Sequence, residues 1–122
     1  MLSTLVAIKA RRASRLRAKL ARLALEAAEL MARRDEVQRQ RAALRLQRQA
    51  LLHESGVLSQ RDLAALRTRL DRQRQSERAL LGELRSLAEA RCELDVMRDA
   101  LSEQLRRLLR TQEKLSMMME LL

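Results

Sequence analysis

Leucine-type residues recur every seventh position along two long stretches of the chain. Counting in sevens from Leu2 reaches Lys9, Leu16, Leu23, Leu30, Val37, Leu44 and Leu51. The companion positions, four residues beyond each, are Val6, Ala13, Leu20, Ala27, Arg34, Arg41 and Arg48. Two apolar positions per heptad form a narrow stripe on a helix, the seam of a coiled coil. Here the companion row turns from apolar to cationic halfway along. An Arg in such a row can carry its guanidinium outward along the partner's surface, so it weakens the seam locally without ending it. The second stretch repeats the pattern from Leu66 through Gln73, Leu80, Leu87, Leu94, Leu101, Leu108, Leu115 and Leu122. Its companions are Leu63, Leu70, Glu77, Leu84, Arg91, Arg98, Leu105, Gln112 and Met119. A single phase without stutters predicts a left-handed supercoil.

Between the two patterns lies His53 to Asp62, HESGVLSQRD, the only interruption in a chain without Pro. Gly56 suits the left-handed position that closes a helix, with Val57 able to touch Leu52. Ser59 can cap a second helix, Asp62 completes a capping-box-like pair at its positive end, and Leu58 with Leu63 forms a hydrophobic staple. The expected fold is therefore all-α: two long helices in an antiparallel coiled-coil hairpin, with the turn near residues 53–59. Helix 1 should cover about 2–54, the turn 55–58 and helix 2 about 59–122, one hairpin over 1–122. The competing architecture is a long parallel homodimer kinked at Gly56.

In the hairpin, facing residues have numbers that sum to about 114 to 117, as a short connection between antiparallel helices requires. Leu51 then approaches Leu66, and Leu16 approaches Leu101. Arg34 and Arg41 fall near Glu77, Gln73 and Leu80, and Arg91 and Arg98 fall near Glu26. The seam should be poorest between Arg34 and Arg48. Met117, Met118, Met119, Leu121 and Leu122 should finish the pair against Leu2, Leu5 and Val6, or else form an adaptable docking end. Gly82 lies off the seam. Two helices bury little, so the free hairpin is expected to be marginal or to form a homodimer.

Composition supports a rod over a globule. The 122 residues include no Phe, Tyr or Trp, while 47% are hydrophobic and 34% charged. Without aromatics a compact core of this length is hard to fill. No stretch approaches the ~20 uncharged apolar residues of a membrane span, which leads to the expectation of a soluble, cytoplasmic protein. Cys92 and His53 are each the sole residue of their kind, too few for a disulfide within the chain or a metal site. No nucleophile beside a base, phosphate loop or concave acid pair is present, and a two-helix rod offers no pocket. No enzyme activity, cofactor, metal or small-molecule ligand is expected.

Charge is uneven. Residues 1–52 carry 13 Lys+Arg against 4 Asp+Glu, whereas residues 53–122 carry 13 against 12. Lys9, Arg11, Arg12, Arg15, Arg17, Lys19 and Arg22 form a run without an acid. Such a block is either a solvated face or the footprint of an acidic partner. Nucleic acid is the weaker partner class, because stacking aromatics and zinc-finger spacing are missing. A transit peptide would remove part of a working seam on cleavage.

The residues also resemble a family. An apolar opening followed by a basic run, LSTLVAIKARRASRLRAKL, a turn followed by a helix, GVLSQRDLAALRTRLDRQ, and an uninterrupted heptad helix to the end are similar to the small stalk proteins of type III secretion and flagellar export, the FliJ/YscO/HrpO group. The resemblance spans nearly the whole chain. It implies an antiparallel coiled-coil stalk that enters the central hole of a hexameric export ATPase, contacts the cytoplasmic domain of the export gate and handles secretion chaperones, peripheral to the inner-membrane apparatus. Carried onto this sequence, it places ATPase contacts at Lys9, Arg12, Arg15, Arg106, Arg107 and Arg110, and gate contacts at Arg41, Arg48, Arg61, Arg67 and Arg72. The chain departs from many members in lacking aromatics and a charged tail. The alternative of a different class is a basic coiled-coil adaptor for nucleic acid or an acidic membrane surface.

Overall fold

The heptad stripes do become helices. A computed structural model describes residues 1–53 and 59–122, and they form α1 (Leu2–His53) and α2 (Gln60–Leu121), which pack against each other as an all-α hairpin. Strong helix formers dominate both segments, and no described residue has a positive φ or a cis peptide bond. The α2 start follows the expected capping chemistry. Ser59 Oγ accepts a hydrogen bond from the Asp62 amide at 3.2 Å, and the Ser59 carbonyl accepts one from the Leu63 amide at 3.0 Å. Asp62 also supplies a negative charge in the first turn, and His53 stands in the last turn of α1. The expected roles of Gly56, Val57 and Leu58 lie outside the described residues.

The helices divide into two compact units, residues 1–29 with 91–122, and residues 30–90. Within both, burial follows the sequence stripes. In α1 every residue less than fully exposed belongs to the two heptad rows, except Glu36; among the row members only Arg34 is exposed. In α2 the rows also account for most of the covered positions, although Leu63, Arg98, Met119 and Leu122 stay exposed. Most row residues are half-buried, because one helix can cover another from one side only. Among the described residues the buried apolar ones are Ala13, Leu23 and Val37, and α2 contributes none.

Two expectations about packing change. The tightest point lies inside the stretch expected to be poorest: Val37 is 0% exposed. The reason is that Arg34 turns outward to Asp35 at 3.3 Å, while Arg41 and Arg48 reach Glu77 at 3.8 and 3.3 Å. Arg34 thus moves its charge off the stripe, while Arg41 and Arg48 settle theirs on Glu77 within the two rows, beside Val37. Two buried polar atoms nearby, Arg41 Nε and Gln73 Oε1, lack hydrogen-bond partners among the described residues. At the other end, Met117, Met118, Met119, Leu121 and Leu122 are all exposed and do not finish a seam. Gly82 is a surface glycine as expected, with nothing within 4 Å of where a Cβ would stand.

Candidate cationic interface

Seven cations of α1 stand without compensation. Arg11, Arg12, Arg15, Arg17, Lys19 and Arg22 are exposed, Lys9 is half-buried on the heptad stripe, and none makes an ion pair among the described residues. Their positions follow from the helical repeat. Lys9 falls on the leucine row, and the other six occupy the remaining heptad positions, so they crowd the outer surface of α1.

The α2 segment of the same unit treats its cations differently. Arg91 donates to Asp95 at 3.2 Å, and Arg98 reaches Asp95 at 3.3 Å and Asp99 at 3.0 Å. Arg106 and Arg107 both close on Glu103. The expectation that Arg91 and Arg98 approach Glu26 is therefore replaced by pairing along their own helix, where residues three and four apart are neighbours. Partial loss of solvent favours the neutral acid at Glu103. Attraction and hydrogen bonding from Arg106, then from Arg107, outweigh this and hold its carboxyl below the usual range.

These facts sort the candidate contact residues. Of those assigned to an ATPase, Arg12, Arg15 and Arg110 are exposed and unpaired among the described residues, Arg106 and Arg107 are engaged by Glu103, and Lys9 belongs to the seam. Of those assigned to a gate, Arg61, Arg67 and Arg72 are exposed and unpaired among the described residues, whereas Arg41 and Arg48 are committed to Glu77. Each set is thus split between free cations and cations used by the fold; the six ATPase candidates all lie in the unit of residues 1–29 with 91–122, and the five gate candidates all lie in residues 30–90.

One contact was missed from the stripes alone. Arg33 Nε donates to Glu83 Oε1 at 2.6 Å across the two helices. Its hydrogen bond to Glu83, with the charge attraction behind it, raises the Arg33 pKa above its ordinary value. Both residues flank the apolar rows, and opposite charges at flanking positions were the available signal. This pair falls inside the expected register window, and Arg41–Glu77 falls one residue outside it.

Among the described residues no group of His, Cys, Asp and Glu could hold a metal ion, and no helix is long and apolar enough to cross a membrane. Fold and surface together define a class, a helical hairpin with one strongly cationic helix segment. No protein-family model, curated protein or solved structure matches the chain.

Proposed function

We propose that this chain is a non-enzymatic stalk or escort that docks on the hexameric ATPase of a type III secretion system and on the export gate, coupling ATP hydrolysis to protein export. The observation that supports this reading is the α1 run of seven cations with no acidic residue among them and no ion pair among the described residues, on a hairpin where nine of the 18 other arginines pair with carboxylates. A ring of acidic groups around such a helix gains contacts that depend on which subunit faces it. That differential contact is what biases one subunit conformation over another.

The test is stimulation of a purified hexameric secretion ATPase by the chain, with Arg12→Glu and Arg15→Glu together as the variant. Both residues are exposed and unpaired among the described residues, and reversing them gives Lys9, Arg11 and Lys19 opposite-charge neighbours, so helicity should be kept or raised. Lys9 is left intact, because its place on the stripe would mix a stability effect with a binding effect. Loss of stimulation supports the stalk. Full stimulation by the double variant removes the assignment of this face. Binding to DNA or anionic vesicles that collapses with salt and leaves the ATPase unaffected favours the adaptor reading.

A further inference from the structure

The flank of the seam in residues 30–90 holds a groove of about 460 Å³ whose floor is Leu44 and Leu80 and whose walls are Gln40, Ala43, Gln47, Ser76 and Ala79. No charged residue lines it, in a chain that is 34% charged. The opposite flank of the same helices, by heptad position, carries Arg45, Arg74, Arg78 and Arg85. We propose that this charge-free groove is the contact face for a second copy of the chain, giving a dimer of hairpins.

Three observations commit the occupant. The first is area. A compact folded protein of this mass exposes about 6,700 Å², whereas the chain exposes 9712 Å². The excess of about 3,000 Å², taken over the whole chain, is larger than the roughly 600–1,000 Å² that each partner of a stable pairwise interface buries. The second is the floor. Leu44 and Leu80 are seam residues left half-buried by having only two helices around them. A second hairpin laid there turns them into the core of a four-helix arrangement, and Ala43, Ser76 and Ala79 let its backbone come close.

The third observation is charge. An acidic partner has nothing to read in a neutral groove and gains more at the free arginines. Two copies that each carry +10 can meet only where no like charges are driven together.

This contact carries a salt signature opposite to that of the cationic face. Screening weakens the repulsion between two +10 chains and leaves apolar burial intact, so dimerisation strengthens with salt while acidic-partner binding weakens. Sedimentation equilibrium of the full chain at about 0.1 M and about 0.5 M salt tests it. The expected result is a reversible monomer–dimer equilibrium, tighter at the higher salt. Ala43→Arg with Ala79→Arg should weaken it by at least roughly tenfold, with the circular dichroism of the hairpin unchanged because both alanines are exposed. In a Cys92→Ser background, Ala79→Cys should form a disulfide-linked dimer under mild oxidation and Leu25→Cys, exposed in the other unit, should not. A monomer at every concentration, an undiminished dimer in the double-arginine variant, dissociation on adding salt, or cross-linking at Leu25 instead of Ala79 would each overturn the proposal.

Discussion

Replacing Glu77 by Gln keeps the side-chain shape and removes one charge, at the point where α2 answers two seam arginines of α1. Glu77 Oε2 receives Arg48 Nη1 at 3.3 Å, and Oε1 lies 3.8 Å from Arg41 Nη2. The side chains of Glu77 and Arg41 are 24% and 23% exposed, and that of Arg48 is 40% exposed. Fully exposed pairs contribute about 0.2–1 kcal/mol, and removing one partner of a fully buried pair costs about 3–5 kcal/mol. A hub at this intermediate depth should cost about 1–2 kcal/mol when the carboxylate is neutralised, since two guanidiniums then share a partly dry site. For a chain of this size that corresponds to a fall in melting temperature of roughly 5 °C, read by circular dichroism. Arg41→Met and Arg48→Met in the Glu77→Gln background close the mutant cycles and separate the two arms. The triple change Arg41→Leu, Glu77→Leu, Arg48→Leu should recover or exceed the original stability, because an apolar seam avoids desolvating charges. The cost should appear as poorer discrimination between helix registers, visible as broadened spin-label distances between α1 and α2. If Glu77→Gln melts with the parent protein, the hub contributes nothing and another contact sets the register.

Other consequences can be measured on the same protein. Val37→Ala removes two methyl groups from a site with no solvent exposure and should cost about 2 kcal/mol in denaturant unfolding; the same change at half-buried Val6 should cost about half as much. Because Arg106 and Arg107 hold the Glu103 carboxyl below its ordinary value of 4.5, its contribution to stability is present in full above that pH and is lost as pH falls through the lowered value. A Glu103→Gln variant should accordingly lose the part of the acid-induced melting shift that this site supplies. Polyglutamate should slow amide exchange over residues 9–22 before it affects residues 61–90; equal slowing in both segments would argue against a localised anion site.

The stripes made the fold readable because heptad phase and burial are the same quantity seen twice. A residue such as Leu23 or Val37 is covered because its number places it on the seam, whatever its neighbours are. The Ser59 cap was equally readable, since its partner is an amide three residues away. Charges were less so. Long arginine side chains choose among several carboxylates within reach. Thus Arg34 took Asp35 beside it in place of Glu77, and Arg91 and Arg98 took Asp95 on their own helix in place of Glu26 on the other. The candidate contact face was visible as a run of cations. Which of its members the fold consumes depended on side-chain geometry that spacing alone does not fix. The exposed methionines near Leu122 escaped for a related reason: the apolar pattern reaches them, but coverage also requires an opposing surface.

The α1 cation run carries an internal cost that gives it a direction. Lys9 and Arg12, Arg11 and Arg15, Arg12 and Arg15, Arg15 and Lys19, and Lys19 and Arg22 are like charges three or four residues apart. At about 0.2–0.5 kcal/mol each, such pairs oppose the helix by roughly 1–2.5 kcal/mol. On α2 the same spacings mix like charges, such as Arg106 with Arg110, with opposite ones, Arg91 with Asp95 and Arg106 and Arg107 with Glu103. The repulsion is therefore offset on α2 and not within the α1 run, and the hydrophobic seam through Ala13 and Leu23 keeps that helix in place. An anionic partner changes that balance twice over, by its own attraction to the guanidiniums and by relieving their mutual repulsion. The relief exists only on the bound helix, so this segment gains more from an acidic surface than an equal number of already paired arginines would.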